Sequence, residues 1–153
     1  MGAVYEDYLR EAILQMKFHR AKQACEVVAR TVLMSRDDWP RVDVVTCVPV
    51  SARRLRERGY NQSEELARRV ASELKLPYVP LLARSGHTHQ LGAGRAERLA
   101  QVQGVFRAIE PLDGIRVLVV DDVVTTGATV SACAEELRAA GADMVWAAVA
   151  ARH

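Results

Sequence analysis

The chain has 153 residues, half of them hydrophobic and 26% charged, with a net charge of +2. That length is most simply one domain, spanning 1–153, with a sizeable core, and so small a charge gives no bulk-electrostatic argument for a nucleic-acid binder. No apolar run approaches the ~20 residues of a membrane span, and Met1 to Arg10 carry acids and tyrosines where a signal peptide would be basic and then apolar, so a cytoplasmic protein without membrane insertion is expected.

Val4 to Met16 sets Tyr5, Tyr8, Leu9, Ile13 and Met16 at helical spacing, and Ala21 to Met34 does the same with Cys25, Val28, Val32 and Leu33. These two helices predict a helical N-terminal part over 1–36, ahead of a sheet core over 42–151. Val42 to Val50 is nearly all apolar and reads as the first buried strand. Ser51 to Gly59 then reads as a loop in which Arg53, Arg54, Arg56 and Arg58 form a compact anion site. Asn61 is placed to cap a helix, with Glu64 three residues on and Leu66, Val70 and Leu74 as its core stripe. Over 83–104 the pattern lapses into Gly, Arg and His, as in a functional lid; His87 and His89 have no third metal ligand nearby in sequence. Cys25, Cys47 and Cys133 are odd in number, far apart and set in apolar runs, which predicts buried, reduced thiols. Of the 21 basic residues three are Lys and eighteen Arg, a bias that suits phosphate and that codon preference would also produce.

The most informative stretch is Val117-Leu118-Val119-Val120-Asp121-Asp122-Val123-Val124-Thr125-Thr126-Gly127-Ala128-Thr129. Four apolar residues predict a buried strand, two carboxylates stand where it is expected to end, and a small polar loop leads into a helix over Thr129 to Ala140 that Gly141 stops. A helix starting near Ala128 aims unpaired N–H groups and its positive end at that loop. Thr125, Thr126 and Thr129 add hydroxyls, and Gly127 admits a close anion. Asp121 and Asp122 would repel a phosphate, so they suit ribose hydroxyls or a hydrated Mg2+ on the same ligand. Together these point to a ribose 5-phosphate. A nucleotide-binding Walker B strand would need a Gly-Lys loop, and the chain has no Gly-Lys pair. Met144 to Ala151 reads as a last buried strand.

The run Val119 to Thr129 resembles the 5-phosphoribosyl-1-pyrophosphate (PRPP) loop of type I phosphoribosyltransferases. Val48-Pro49-Val50 followed by Arg58-Gly59-Tyr60-Asn61-Gln62 is similar to the ComF competence-protein family within them, as are Tyr5, Leu9-Arg10 and Lys17-Phe18-His19. The resemblance implies an α/β fold of that type: a central, mostly parallel sheet of about four or five strands, flanked by helices, with an N-terminal helical pair. It implies PRPP binding by Asp121, Asp122, Val123, Thr125, Thr126, Gly127, Ala128 and Thr129. Pyrophosphate would lie against Ser51, Ala52, Arg53, Arg54 and Arg58, with Asp121, Asp122 and Arg58 acting in catalysis. Mg2+ is the implied cofactor, carried by the ligand and reached by Asp121 and Asp122 with no dedicated protein site. The implied activity is phosphoribosyl transfer to an acceptor the sequence does not name, with a role in DNA uptake. The alternative is a non-catalytic PRPP-sensing or scaffold module that meets a competence helicase or single-stranded DNA. A homodimer is compatible with either.

Overall fold

The computed structural model describes residues 22–34, 38–85 and 104–152. Its centre is β4 (Arg116–Val124), flanked by β1 (Val44–Cys47) and β5 (Met144–Arg152) in a three-stranded parallel sheet of order β1-β4-β5. The apolar runs explain the arrangement, since parallel strands are covered on both faces and need no polar side. Val45, Cys47, Leu118 and Val120 point to one face, under α1 (Lys22–Met34) and α3 (Gln62–Leu74). Val44, Val48, Val117 and Val119 point to the other, under α4 (Ala128–Ala139) and a small antiparallel pair of β2 (Leu82–Arg84) and β3 (Phe106–Ala108). Leu66, Leu118, Leu137 and Phe106 are almost fully buried, and truncating one such leucine to Ala would cost about 2–5 kcal/mol.

Local chemistry finishes what burial begins. Thr46 is a polar residue in the middle of β1, and its buried hydroxyl accepts from the Leu81 N–H at 3.1 Å. At the end of the sheet away from the acid pair, Asp43 takes the Arg116 guanidinium in a fork at 2.7 and 3.0 Å and the Arg116 N–H at 2.8 Å. Those bonds hold the Asp43 carboxyl down at about 2. Gly141 ends the α4 turn at φ +105°, where a Cβ would collide with the Leu112 carbonyl, so no other residue fits without a shift.

Several expectations change in detail. The single sheet of four or five strands is instead five strands in two sheets among the described residues, with one bridge, Val45 to Tyr78, where a fourth parallel strand would lie beside β1. β1 stops at Cys47, short of Val50, because Pro49 lacks an N–H to continue a ladder. β4 runs past the acids to Val124, since β5 keeps pairing with it as far as Arg152; the acids lie inside the strand. The arginine loop is largely a helix, α2 (Ala52–Arg58), with Ser51 as N-cap and Gly59 at φ +75° as C-cap. The segment expected to be irregular over 83–104 begins inside β2. The helix predicted over Val4 to Met16, and His87 and His89, lie outside the described residues.

Candidate functional site

The site follows from β1 ending early. The Val48 N–H still donates to the Val120 carbonyl at 3.1 Å, and then the chain turns away. Asn61 caps α3, accepting from the Ser63 N–H at 3.1 Å, while its amide donates to the Val48 carbonyl at 3.4 Å. That one side chain ties the departing strand to the incoming helix. Beyond Val120 the β1 side of β4 is open, and a cleft of about 330 Å³ lies there. Crevices of this kind form at the carboxyl ends of parallel strands, where helices point their N-termini.

Asp121 is buried at the base of the cleft, 8% exposed. Its Oδ1 accepts from the Ser63 hydroxyl at 2.8 Å and from the Asp122 N–H at 2.9 Å. Burial, and after it the charge of Asp122, pushes the Asp121 carboxyl well above the usual carboxylate range. Asp122 accepts from the Val123 N–H at 2.9 Å. Asp121, Asp122, Val123, Thr125 and Thr129 all line the cleft. Thr126, Gly127 and Ala128 form the turn that carries them: Gly127 sits at φ +82° as the N-cap of α4, and the Ala128 N–H donates to the Thr126 hydroxyl at 3.4 Å.

The facing wall is basic. Helical spacing puts Arg54 and Arg58 on one side of α2, into the cleft. Arg53 falls on another side and pairs with Glu57 at 2.8 Å. Ser51 lends its hydroxyl to the Arg54 N–H at 3.3 Å as a cap, and Ala52 is exposed at the start of the helix. Neither these two nor Arg53 line the cleft. Three further polar residues do, Arg84, Gln62 and Ser63, beside the apolar Val48, Pro49 and Val50. The Arg84 guanidinium lies 5.4 Å from the centre of the Phe106 ring, and burial and then the charge of Arg54 lower its pKa. Gln62 accepts from Arg58 Nη1. A sequence signal for Gln62 and Ser63 existed, since Asn61 as a cap makes them the first turn of a helix facing the same sheet edge. Arg84 had none in spacing or periodicity, only a loose match to the central pattern of the ComF family.

The three cysteines are buried and free. Burial lifts Cys25 and Cys47 to about 11 and Cys133 to about 12, so none is a ready nucleophile. No helix among the described residues is long and apolar enough to cross a membrane.

Solved structures with this fold include the glutamine PRPP amidotransferase of B. subtilis complexed with ADP and GMP (TM-score 0.59, 23% identity). That match covers 84% of this chain and 26% of the other. An adenine phosphoribosyltransferase is also similar, with TM-score 0.53 and 15% identity over 86% of this chain and 69% of the other. The family described as phosphoribosyl transferase domain matches residues 61–153. Fold and motif thus define a type I phosphoribosyltransferase domain. Among curated proteins, the DNA utilization protein YhgH of Escherichia coli K12 is 31% identical over 156 residues, which cover 94% of this chain and 68% of that protein. Competence protein F of Haemophilus influenzae is 27% identical over 155 residues, covering 93% and 68%. The chain spans 66% of the length of the similar Salmonella typhi protein. The chain belongs to the ComF competence-protein family within the type I phosphoribosyltransferase superfamily.

Proposed function

We propose that the cleft binds PRPP with Mg2+ and that the protein transfers its phosphoribosyl group, in the service of DNA utilisation or competence. One observation carries this reading: an acid pair of buried Asp121 and half-buried Asp122, a small hydroxyl loop at a helix N-terminus and inward-facing arginines meet in a single cleft. The 5-phosphate fits against Thr125, Thr129 and the N–H groups at the start of α4. The ribose hydroxyls fit the acids, and the diphosphate fits Arg54, Arg58 and Arg84. No group of three or more His, Cys, Asp or Glu stands ready for a metal among the described residues. The carboxylates are hard oxygen donors, however, so Asp121 and Asp122 fit a Mg2+ shared with ligand oxygens. Bound there, the ion would neutralise part of the diphosphate charge.

The residues divide the work of breaking the bond between the anomeric carbon and the diphosphate. The guanidiniums of Arg54 and Arg58 stabilise the charge that gathers on the leaving group. Asp121 and Asp122 hold the ring and face the positive charge that develops on it, as in glycoside chemistry. The three buried thiols suit a reducing cytoplasm. The test is calorimetric titration with PRPP, with and without Mg2+, followed by assay of pyrophosphate release over a panel of acceptors. Absence of PRPP binding sinks the proposal. Binding without pyrophosphate release under any acceptor assigns the cleft to sensing instead of transfer.

A further inference from the structure

Gln62 is the residue this site has not yet accounted for. It lines the cleft between Arg58 and Ser63, and it is 2% exposed. Its Oε1 accepts from Arg58 Nη1. That bond fixes which end of the amide is which, so Nε2 points away from Arg58. Nε2 is buried and has no hydrogen-bond partner among the described residues. A buried amide donor without an acceptor is rare and unfavourable, and it calls for a specific reason. Among the described residues nothing supplies one: the α3 N-cap is Asn61, and the contact to Asp121 is made by Ser63.

We infer that Gln62 is a ligand-recognition residue whose Nε2 donates to an oxygen on the diphosphate arm, beside the guanidinium that its Oε1 holds in place. The inference rests on the PRPP reading for the identity of the whole ligand, but it concerns the diphosphate alone. The chemistry favours that arm. Gln62 is bonded to Arg58, the inward arginine nearest to it in sequence, and a terminal amide torsion is soft enough to turn the donor toward an incoming oxygen. A neutral donor also serves where another cation would not: burial, and after it the charge of Arg54, already disfavour the Arg84 cation in the same cleft, so a further positive charge would be repelled. Glutamate could hold Arg58 equally well, but it would offer the diphosphate only acceptors and a negative charge.

The experiment titrates wild type, Gln62→Met and Gln62→Glu with pyrophosphate, PRPP and ribose 5-phosphate, with circular dichroism and thermal melting as folding controls. Gln62→Met keeps the volume and removes both the donor and the Oε1 that holds Arg58, whereas Gln62→Glu keeps that hold and removes only the donor. Gln62→Met should weaken pyrophosphate and PRPP about tenfold, leave ribose 5-phosphate within about twofold, and melt no lower than wild type, because an unpaired polar group has gone. Gln62→Glu should weaken pyrophosphate further still. A folded Gln62→Met that binds pyrophosphate like wild type overturns the inference. So does an equal loss for ribose 5-phosphate, which would make the effect one of general packing. Wild type that binds pyrophosphate but not PRPP ends the PRPP reading and leaves the Gln62 comparison standing on pyrophosphate. Wild type that binds none of the three ends both.

Discussion

The two walls of the cleft are built in opposite ways. The acid wall is an extension of the core: Asp121 continues a strand whose preceding four residues are completely buried, and it is held by a hydroxyl and an N–H. The basic wall stands on α2, a seven-residue helix with no buried residue, whose Leu55 is 45% exposed. A carboxylate needs its geometry set in advance, because burial makes its charge costly and every bond to it counts. An arginine keeps its charge in any setting and can reach for an anion on a long flexible stem. The acid wall should therefore respond sharply to small changes, and the basic wall should respond in graded fashion.

The largest effect is expected at the turn that serves the acid wall. Gly127 has φ +82°, and a Cβ there would meet no neighbour within 4 Å among the described residues, so strain and intrusion on the ligand's space decide the outcome. Gly127→Val should cost about 1–2 kcal/mol of stability and weaken ribose 5-phosphate about a hundredfold or more. A folded variant that binds ribose 5-phosphate normally would remove the turn from the site. Next comes the double change Asp121→Asn with Asp122→Asn, expected to lower PRPP affinity in Mg2+ by at least about tenfold in calorimetry. Arg54→Ala with Arg58→Ala should weaken pyrophosphate and PRPP by a similar order while leaving ribose 5-phosphate nearly unchanged; equal losses would show that the basic wall does not face the diphosphate.

A subtler test sets stability against binding within the acid wall. The Asp121 carboxyl is raised in the folded protein to about 7. Its contribution to stability is therefore complete below its unfolded value near ~4 and is lost as pH rises through about 7. Asp121→Asn removes that loss. It should raise the melting temperature more at about pH 8 than at about pH 5, by the equivalent of on the order of 2 kcal/mol. An equal gain at both pH values would mean the carboxyl is not raised. The smallest effect is expected from Arg53→Ala, within about twofold on pyrophosphate, since Arg53 is turned toward Glu57 and the pair is exposed.

What the sequence reveals follows from the same contrast. The strand of Val117 to Val120 and the loop of Thr125 to Thr129 are legible because burial leaves a continuous apolar run and the turn needs a glycine. The acid pair is legible as chemistry but not as geometry. Two adjacent aspartates read as a strand end, whereas the backbone of β5 carries the ladder past them regardless of side chain. α2 is invisible because a helix that buries nothing leaves no apolar stripe, and without the helix Arg53 cannot be told from Arg54. Asn61 is readable as a cap, yet its second task, holding the Val48 carbonyl, depends on a contact thirteen residues back in the chain. Arg84 reaches the cleft only because β2 pairs with β3 above α4, a tertiary arrangement with no local signature.

The early end of β1 has one further consequence, for the exchange of backbone hydrogens with solvent. Beside Cys47 and before it, β4 is laddered on both edges. Past Val120 the N–H of Asp122 bonds to the Asp121 carboxylate, and that of Val123, still in register with Ala151 of β5, bonds to the Asp122 carboxylate. Those two amides are thus protected by the very groups assigned to the ligand, and their exchange is tied to what the carboxylates are doing. Amides at Val117 to Val120 should exchange only as the whole sheet opens. Asp122 and Val123 should exchange through a smaller, local opening whose rate shifts when a ligand engages the acids, so two amide positions would report occupancy of the cleft without any label placed in it.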